Sequence, residues 1–311
     1  VNENQWIHKP KHEQTRRRWA YYPGCSLESS ARDYDTSSRL VLQALGAELV
    51  DLEGWTCCGS SSAHAVNHVL GAALPARNLR LAEELGLDVV MPCPACSVRH
   101  KGSRDELQDP ERAARINAVL DAPARGTARV LNILEALDDL MSDVDPAELP
   151  FTLDMKVVAY YGCLLTRPLP PGVRYTTEIE EPVVMDRIIE KTGATVLPWA
   201  FKTECCGASL SFTVKDAVLV NSGRILAQAV AAGAEAIVLG CQLCEQNLDL
   251  RRAQIAKHNG QRIDIPIYYV TEIIGAALGF TPEQLGVEQH TVEAVQALRA
   301  ATKPRVVAVT T

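Results

Sequence analysis

The chain is poor in aromatic side chains, 5% of its 311 residues, and has only four methionines. Its apolar content of 47% must therefore pack mainly through Ala, Leu and Val, which suits helices laid over a buried sheet. It has no apolar run of the roughly 18 residues needed to span a bilayer. It also has no charged start followed by an apolar stretch of the secretory kind. These two absences lead us to expect a cytoplasmic protein without a transmembrane segment. Positive charge is not in surplus either: 31 Lys and Arg stand against 38 Asp and Glu, a formal net charge of −7. Nucleic acid is thereby excluded as a partner, because binding a phosphate backbone needs clustered cations. The basic residues that do cluster, Lys9, Lys11, Arg16, Arg17 and Arg18, fall in residues 1–18, read as a solvated or partner-contacting polar tail. No glycine fingerprint for a dinucleotide and no ferredoxin-type cysteine spacing occurs, so the chain shows no entry route of its own for electrons.

Against these absences stand ten cysteines in two copies of one pattern. The first copy is Cys25, Cys57-Cys58 and Cys93-x-x-Cys96; the second is Cys163, Cys205-Cys206 and Cys241-x-x-Cys244. In both, 34 residues separate the adjacent pair from the closing pair, while 31 and 41 residues precede the adjacent pair. No cysteine is left over. A chain of this length can fill a core without disulfide staples, so metal ligation is the better account of the even count.

Strand and helix signals alternate around the cysteines. Trp19 to Tyr22 reads as a strand ending at Pro23-Gly24, followed by a helix over 33–45, a strand over 47–52, a helix over 75–85 and a strand over 87–91. A polar segment over 101–125 follows, then a strand over 128–133 and a helix to Met141. The second half repeats the order, with strands over 156–160, 194–198, 236–239 and 265–270 and a helix over 271–278. The expected fold class is α/β: two tandem domains, 19–145 and 151–290, related by a pseudo-twofold axis, each a small parallel sheet flanked by helices. A C-terminal extension over 291–311 follows them. Loops at the carboxyl ends of parallel strands converge on one edge of a sheet, so the five sulfurs of each half are expected to meet there.

Four thiolates make a structural zinc site or an ordinary cubane cluster, and either leaves one cysteine unused in each half. Adjacent cysteines point apart and cannot easily serve one small ion, but they can reach different irons of a larger, opened cluster. An unusual iron–sulfur assembly, structural zinc, and thiol chemistry without metal are the readings the residues leave open.

Tyr22-Pro23-Gly24-Cys25, Cys57-Cys58-Gly59, Cys93-Pro94-Ala95-Cys96, Gly162-Cys163, Cys205-Cys206-Gly207 and Cys241-Gln242-Leu243-Cys244 resemble the duplicated cysteine-rich motif of the B subunit of heterodisulfide reductase. The resemblance runs from about Trp19 to His290. It implies two noncubane [4Fe-4S] clusters, each ligated by the five cysteines of one half, facing a cleft in which a disulfide is split with one electron from each. It also implies two partners, a ferredoxin-like iron–sulfur subunit and the flavin-containing subunit that feeds it, and a small or protein-bound disulfide or thiol as substrate. A sulfur-oxidising version acting on protein-bound lipoate and a non-enzymatic double-zinc scaffold are the alternatives. His64 and His68, four apart and on one face if helical, are candidate proton donors to a departing thiolate. Lys202 and Arg167 are candidates for guiding an anionic substrate, and Pro168 to Pro171 look like an insertion on the second rim.

Overall fold

The computed structural model describes residues 17–60, 62–167 and 178–305. Lys9, Lys11 and Arg16 of the basic stretch and the segment Pro168 to Pro171 lie outside the described residues, as do 306–311 at the end of the expected extension. Strands β1 (Arg18–Tyr21), β2 (Glu48–Asp51), β3 (Val89–Met91) and β4 (Val130–Asn132) form one all-parallel sheet in the order β2-β1-β3-β4. After β5 (Phe151–Leu153), strands β6 (Lys156–Tyr160), β7 (Thr195–Val196), β8 (Ala236–Leu239) and β9 (Ile267–Tyr269) form a second parallel sheet in the equivalent order β7-β6-β8-β9. Strand β10 (Thr302–Pro304) returns to pair antiparallel with β5. Residues 291–305 are thus folded onto the second half rather than trailing from it.

The first half carries helices α1 (Gly24–Leu27), α2 (Arg32–Ala44), α3 (Ala63–Val66), α4 (His68–Leu85), α5 (Pro94–Glu106), α6 (Pro110–Asn117) and α7 (Ile133–Met141). The second carries α8 (Val184–Lys191), α9 (Lys215–Ala231), α10 (Gln242–Glu245), α11 (Arg252–Asn259), α12 (Val270–Ala277), α13 (Pro282–Leu285) and α14 (Ala294–Ala301). Helix α4 begins seven residues before Pro75, because the Asn67 side chain accepts from the Leu70 amide and caps it. Pro75 is accommodated inside the helix. The polar segment over 101–125 also proves largely helical: Cys93 and Asp109 cap α5 and α6, each with a proline at the first helical position.

The halves meet mainly through α2 on α12 and α7 on α8, with α13 also packed against α2. Helices α2 and α8 each follow the first strand of their sheet, and α7 and α12 each follow the last, so the pairs exchange under a pseudo-twofold rotation. Ser37 Oγ and Thr271 Oγ1, 2.7 Å apart, tie the first pair. Arg17 and Arg18 are not tail residues: Arg17 pairs with Asp139 at 2.7 Å, and Arg18 opens β1 and pairs with Glu48 at 2.9 Å. Among the described residues no helix is long and apolar enough to cross a membrane.

Candidate metal centre

In each sheet the order reverses between the two central strands, β1 and β3 or β6 and β8, and the crevice at their carboxyl ends is the switch point where such sheets bind ligands. Cys25 and Cys163 follow β1 and β6, Cys93 and Cys241 follow β3 and β8, and the adjacent pairs lie on the loops after β2 and β7. None of the ten is in a disulfide bond.

Within each half the sulfurs sort in the same way. Cys25 and Cys57 are 4.0 Å apart and Cys58 and Cys96 3.4 Å; in the second half Cys163 and Cys205 are 3.6 Å apart and Cys206 and Cys244 3.5 Å. The adjacent cysteines therefore turn to different partners, one to an outer sulfur and one to an inner one. The outer sulfurs Cys25, Cys57 and Cys205 are exposed, whereas Cys58, Cys93, Cys96, Cys206, Cys241 and Cys244 are buried. The fifth sulfur is not an outlier. Burial, then Cys57, Cys58 and Cys93, push the Cys25 thiol up to about 11, and Cys163 is raised by its hydrogen bond to Cys205, by burial, and by Cys205, Cys206 and Cys241. The thiol hydrogen bond from Cys163 in turn lowers Cys205 to about 6.

Sulfurs about 2.3 Å from one metal at tetrahedral angles lie about 3.8 Å apart, so the observed separations suit shared metal ions. Five thiolates this close cannot all ionise without a polycation among them. A single zinc in each half fits poorly, because it takes four sulfurs where five converge. A larger core is also consistent with the glycines beside the first cysteines. Gly24 and Gly162 have φ of +74° and +62°, and a Cβ there would stand 3.0 Å from Cys96 Sγ or 3.1 Å from Cys244 Sγ.

The loops that present these sulfurs are held by different residues in the two halves. In the first, Asn78 clamps Thr56, accepting from its amide at 2.9 Å and donating to its carbonyl at 2.8 Å, and the Tyr22 hydroxyl donates to the same carbonyl. His100 lies beneath, with Nδ1 2.8 Å from the Cys96 carbonyl and Nε2 3.2 Å from Asn78 Nδ2. Burial drives its pKa down to about 4, so the ring is neutral, donating to Cys96 and accepting from Asn78. In the second half Tyr160 donates to the Glu204 carbonyl at 2.7 Å, and Asn247 Nδ2 reaches the Cys206 carbonyl at 3.4 Å and its sulfur at 3.6 Å.

The two closing loops meet at the seam. The Tyr34 hydroxyl lies 3.4 Å from the Pro92 carbonyl and 3.1 Å from that of Gly240, the residues just before Cys93 and Cys241, and its ring stacks on Tyr269 at 4.1 Å. Behind this stack sits a buried charge cluster: His290 Nε2 is 2.9 Å from Glu272 Oε1 and 3.9 Å from Asp33 Oδ2. Burial opposes the imidazolium, yet Glu272, Glu245 and Asp33 outweigh it and raise His290 to about 10.

The described geometry agrees with three comparisons. The family model described as a cysteine-rich domain matches twice, over residues 19–99 and 157–249. The B subunit of the ferredoxin/F(420)H(2)-dependent CoB-CoM heterodisulfide reductase of Methanosarcina acetivorans is 30% identical over 287 residues, 89% of this chain and 94% of that one. The chain belongs to the family of heterodisulfide reductase B subunits. A further relative, the 8-methylmenaquinol:fumarate reductase membrane anchor subunit of Wolinella succinogenes, is 28% identical over 284 residues, 89% of this chain and 98% of its own. A hypothetical protein from Helicobacter pylori shares the fold, with a TM-score of 0.71 at 13% identity over 92% of this chain; the chain spans about half the length of that protein.

Around this family's sulfur motif, other sequence candidates fall differently. His64 and His68 do not share a helical face, because the extended backbone of Asn67 separates α3 from α4. His64 Nε2 is 3.2 Å from Arg99 Nη2, and His68 lies 3.5 Å from Glu106 at the surface. Lys202 is no entry-guiding cation: it is buried, 2.6 Å from Asp186 and 3.0 Å from the Pro182 carbonyl. Arg167 does stand near the second centre, bonded to Glu180 and Thr203 and lowering the Cys205 thiol. Sequence reasoning missed His100, Asn78, Tyr34 and Gln242. A histidine four residues after Cys96 and a glutamine inside Cys-x-x-Cys were the available signals.

Proposed function

We propose that the chain is the disulfide-handling component of a heterodisulfide reductase-like cytoplasmic complex, with Cys25, Cys57, Cys58, Cys93 and Cys96 holding one noncubane [4Fe-4S] cluster and Cys163, Cys205, Cys206, Cys241 and Cys244 holding a second. The observation that carries this reading is the divergence of the adjacent cysteines toward separate sulfurs in both halves, with a fifth sulfur within reach. When bound, the clusters supply one-electron redox chemistry, and two of them match the two electrons that a disulfide takes up. The chain's own residues supply the rest. The exposed outer sulfurs Cys25, Cys57 and Cys205 mark the side from which a substrate approaches, and the buried inner sulfurs keep the far side dry. Arg167 beside Cys205 supplies positive charge for an anionic thiol or disulfide, the role left vacant by Lys202. Electrons come from a ferredoxin-like iron–sulfur partner and a flavin-bearing partner, consistent with relatives that are reductase subunits.

The test is elemental and kinetic. Anaerobically purified protein is expected to carry roughly eight irons with matching sulfide and to release thiol from small or lipoyl disulfides when supplied with a reduced low-potential dye. Zinc in place of iron would overturn the cluster assignment. Full iron with no thiol release above the dye background would overturn the catalytic assignment and leave an electron relay.

A further inference from the structure

Gln242 stands between the two halves and treats them unequally. Its side chain is fully buried, and Nε2 donates to Cys93 Sγ in the other half at 2.8 Å. Its Oε1 has no hydrogen-bond partner. An unpartnered buried amide oxygen is unfavourable, so stability alone gives no reason for an amide where a methionine would fill the same space. The bond has no reciprocal. The matching residue of the first half, one after Cys93, is Pro94, which has no N–H to give. Cys241 Sγ has a side-chain hydrogen bond from Cys244 of its own half, as Cys93 has from Cys96, but among the described residues no amide side chain donates to it across the seam.

We propose that Gln242 is a positioning residue that makes the first half the more readily reduced of the two, by donating its side-chain N–H across the seam to Cys93. The inference rests on reading each half as an iron–sulfur site. Reduction adds negative charge to a metal–sulfur core, and a donor aimed at a ligand sulfur stabilises that charge, the more so where water is excluded. A one-electron donor reaching the protein then fills the first half before the second. The second half has its own amide contact, Asn247 Nδ2 to Cys206 Sγ, but at 3.6 Å it is far longer than the 2.8 Å bond to Cys93, and the shorter bond sets the order of filling.

Iron analysis comes first in the experiment: protein without iron fails the underlying reading and says so before any potential is measured. On iron-replete protein, an anaerobic redox titration followed by electron paramagnetic resonance is expected to resolve two one-electron steps, the higher of which is absent from Cys58→Ser. In Gln242→Met, which keeps the length and removes the N–H, the higher step is expected to move to more negative potential and the lower step to stay. Both steps unmoved, or only the lower one moved, would overturn the proposal. Unaltered protein labelled with 15N in glutamine side chains gives a measurement that needs no variant to fold. A nitrogen hyperfine coupling is expected on the higher-potential signal. Its absence, or its presence only on the lower-potential signal, overturns the assignment.

Discussion

In the first half the loop bearing the adjacent cysteines is clamped by Asn78, which is backed by the buried His100. At the same sequence offsets from the second half's cysteines stand Leu226 and Leu248, both buried, and there the loop is held by Tyr160 and Asn247 instead. A polar network on one side is matched by apolar packing on the other, yet the sulfur separations in the two halves agree to within about half an ångström. Strand order and cysteine spacing set where the sulfurs stand. The anchoring beneath them was free to diverge, because a satisfied buried network and well-packed hydrophobic residues are of similar worth.

The sharpest way to break the comparison is to disable one half at a time. On the proposed function, in which each half supplies its own ligands and the reaction needs both, Cys58→Ser and Cys206→Ser are each expected to lose about half the iron and nearly all disulfide turnover. Metal analysis and dye-driven thiol release check this, and loss of all iron from either single variant would show that the halves do not load independently. A smaller effect comes from exchanging one anchoring scheme for the other. Asn78→Ala leaves the Thr56 amide and His100 Nε2 without partners and is expected to cost about 1–3 kcal/mol. The paired replacement Asn78→Leu with His100→Leu, which copies the second half, is expected to cost less than the sum of its single changes in a denaturation cycle. Strict additivity would mean that the two side chains do not act as a unit.

A pH-dependent effect concerns the seam. The folded-state pKa of His290, about 10, lies above its unfolded value of about 6.5. Its protonation therefore stabilises the fold fully below pH 6.5, and that contribution is lost as pH rises toward 10. Glu245, pushed up to about 8 by burial, ionises in the same window, and Asp33, Glu272 and Asp249 face the ring as well. Melting temperatures measured from pH 6 to 10 should fall, and His290→Gln should flatten the fall. An unchanged slope in that variant would remove the imidazolium from the account.

The sulfur pattern was legible in the sequence because it depends on chain-local order: a strand, a turn, a cysteine, repeated at constant spacing. The divergence of Cys57 from Cys58 followed from backbone geometry alone. Helix α4 starts seven residues ahead of the expected start at Pro75, because Asn67 caps it and Pro75 is accommodated inside. The polar stretch after Lys101 conceals α6, because only the Asp109 cap and the N1 proline Pro110 mark its start and no apolar run follows them. His64 and His68 drew attention by their spacing, which counts only if the helix is continuous. His100, Tyr34 and Gln242 could not be assigned from sequence in the same way, since their partners Asn78, Gly240 and Cys93 lie 22, 206 and 149 residues away and only the packed fold brings them together.

The split between exposed outer sulfurs and buried inner ones also bears on how the protein is made. A newly folded chain presents Cys25, Cys57 and Cys205 to solvent, and the outer pairs, 4.0 and 3.6 Å apart, need to close by less than about 2 Å to form a disulfide bond. Oxidant thus meets the outer sulfurs first and can latch each mouth shut over thiols that are still reduced within. Iron that arrives ahead of oxidant is therefore expected to matter most at these exposed outer sulfurs.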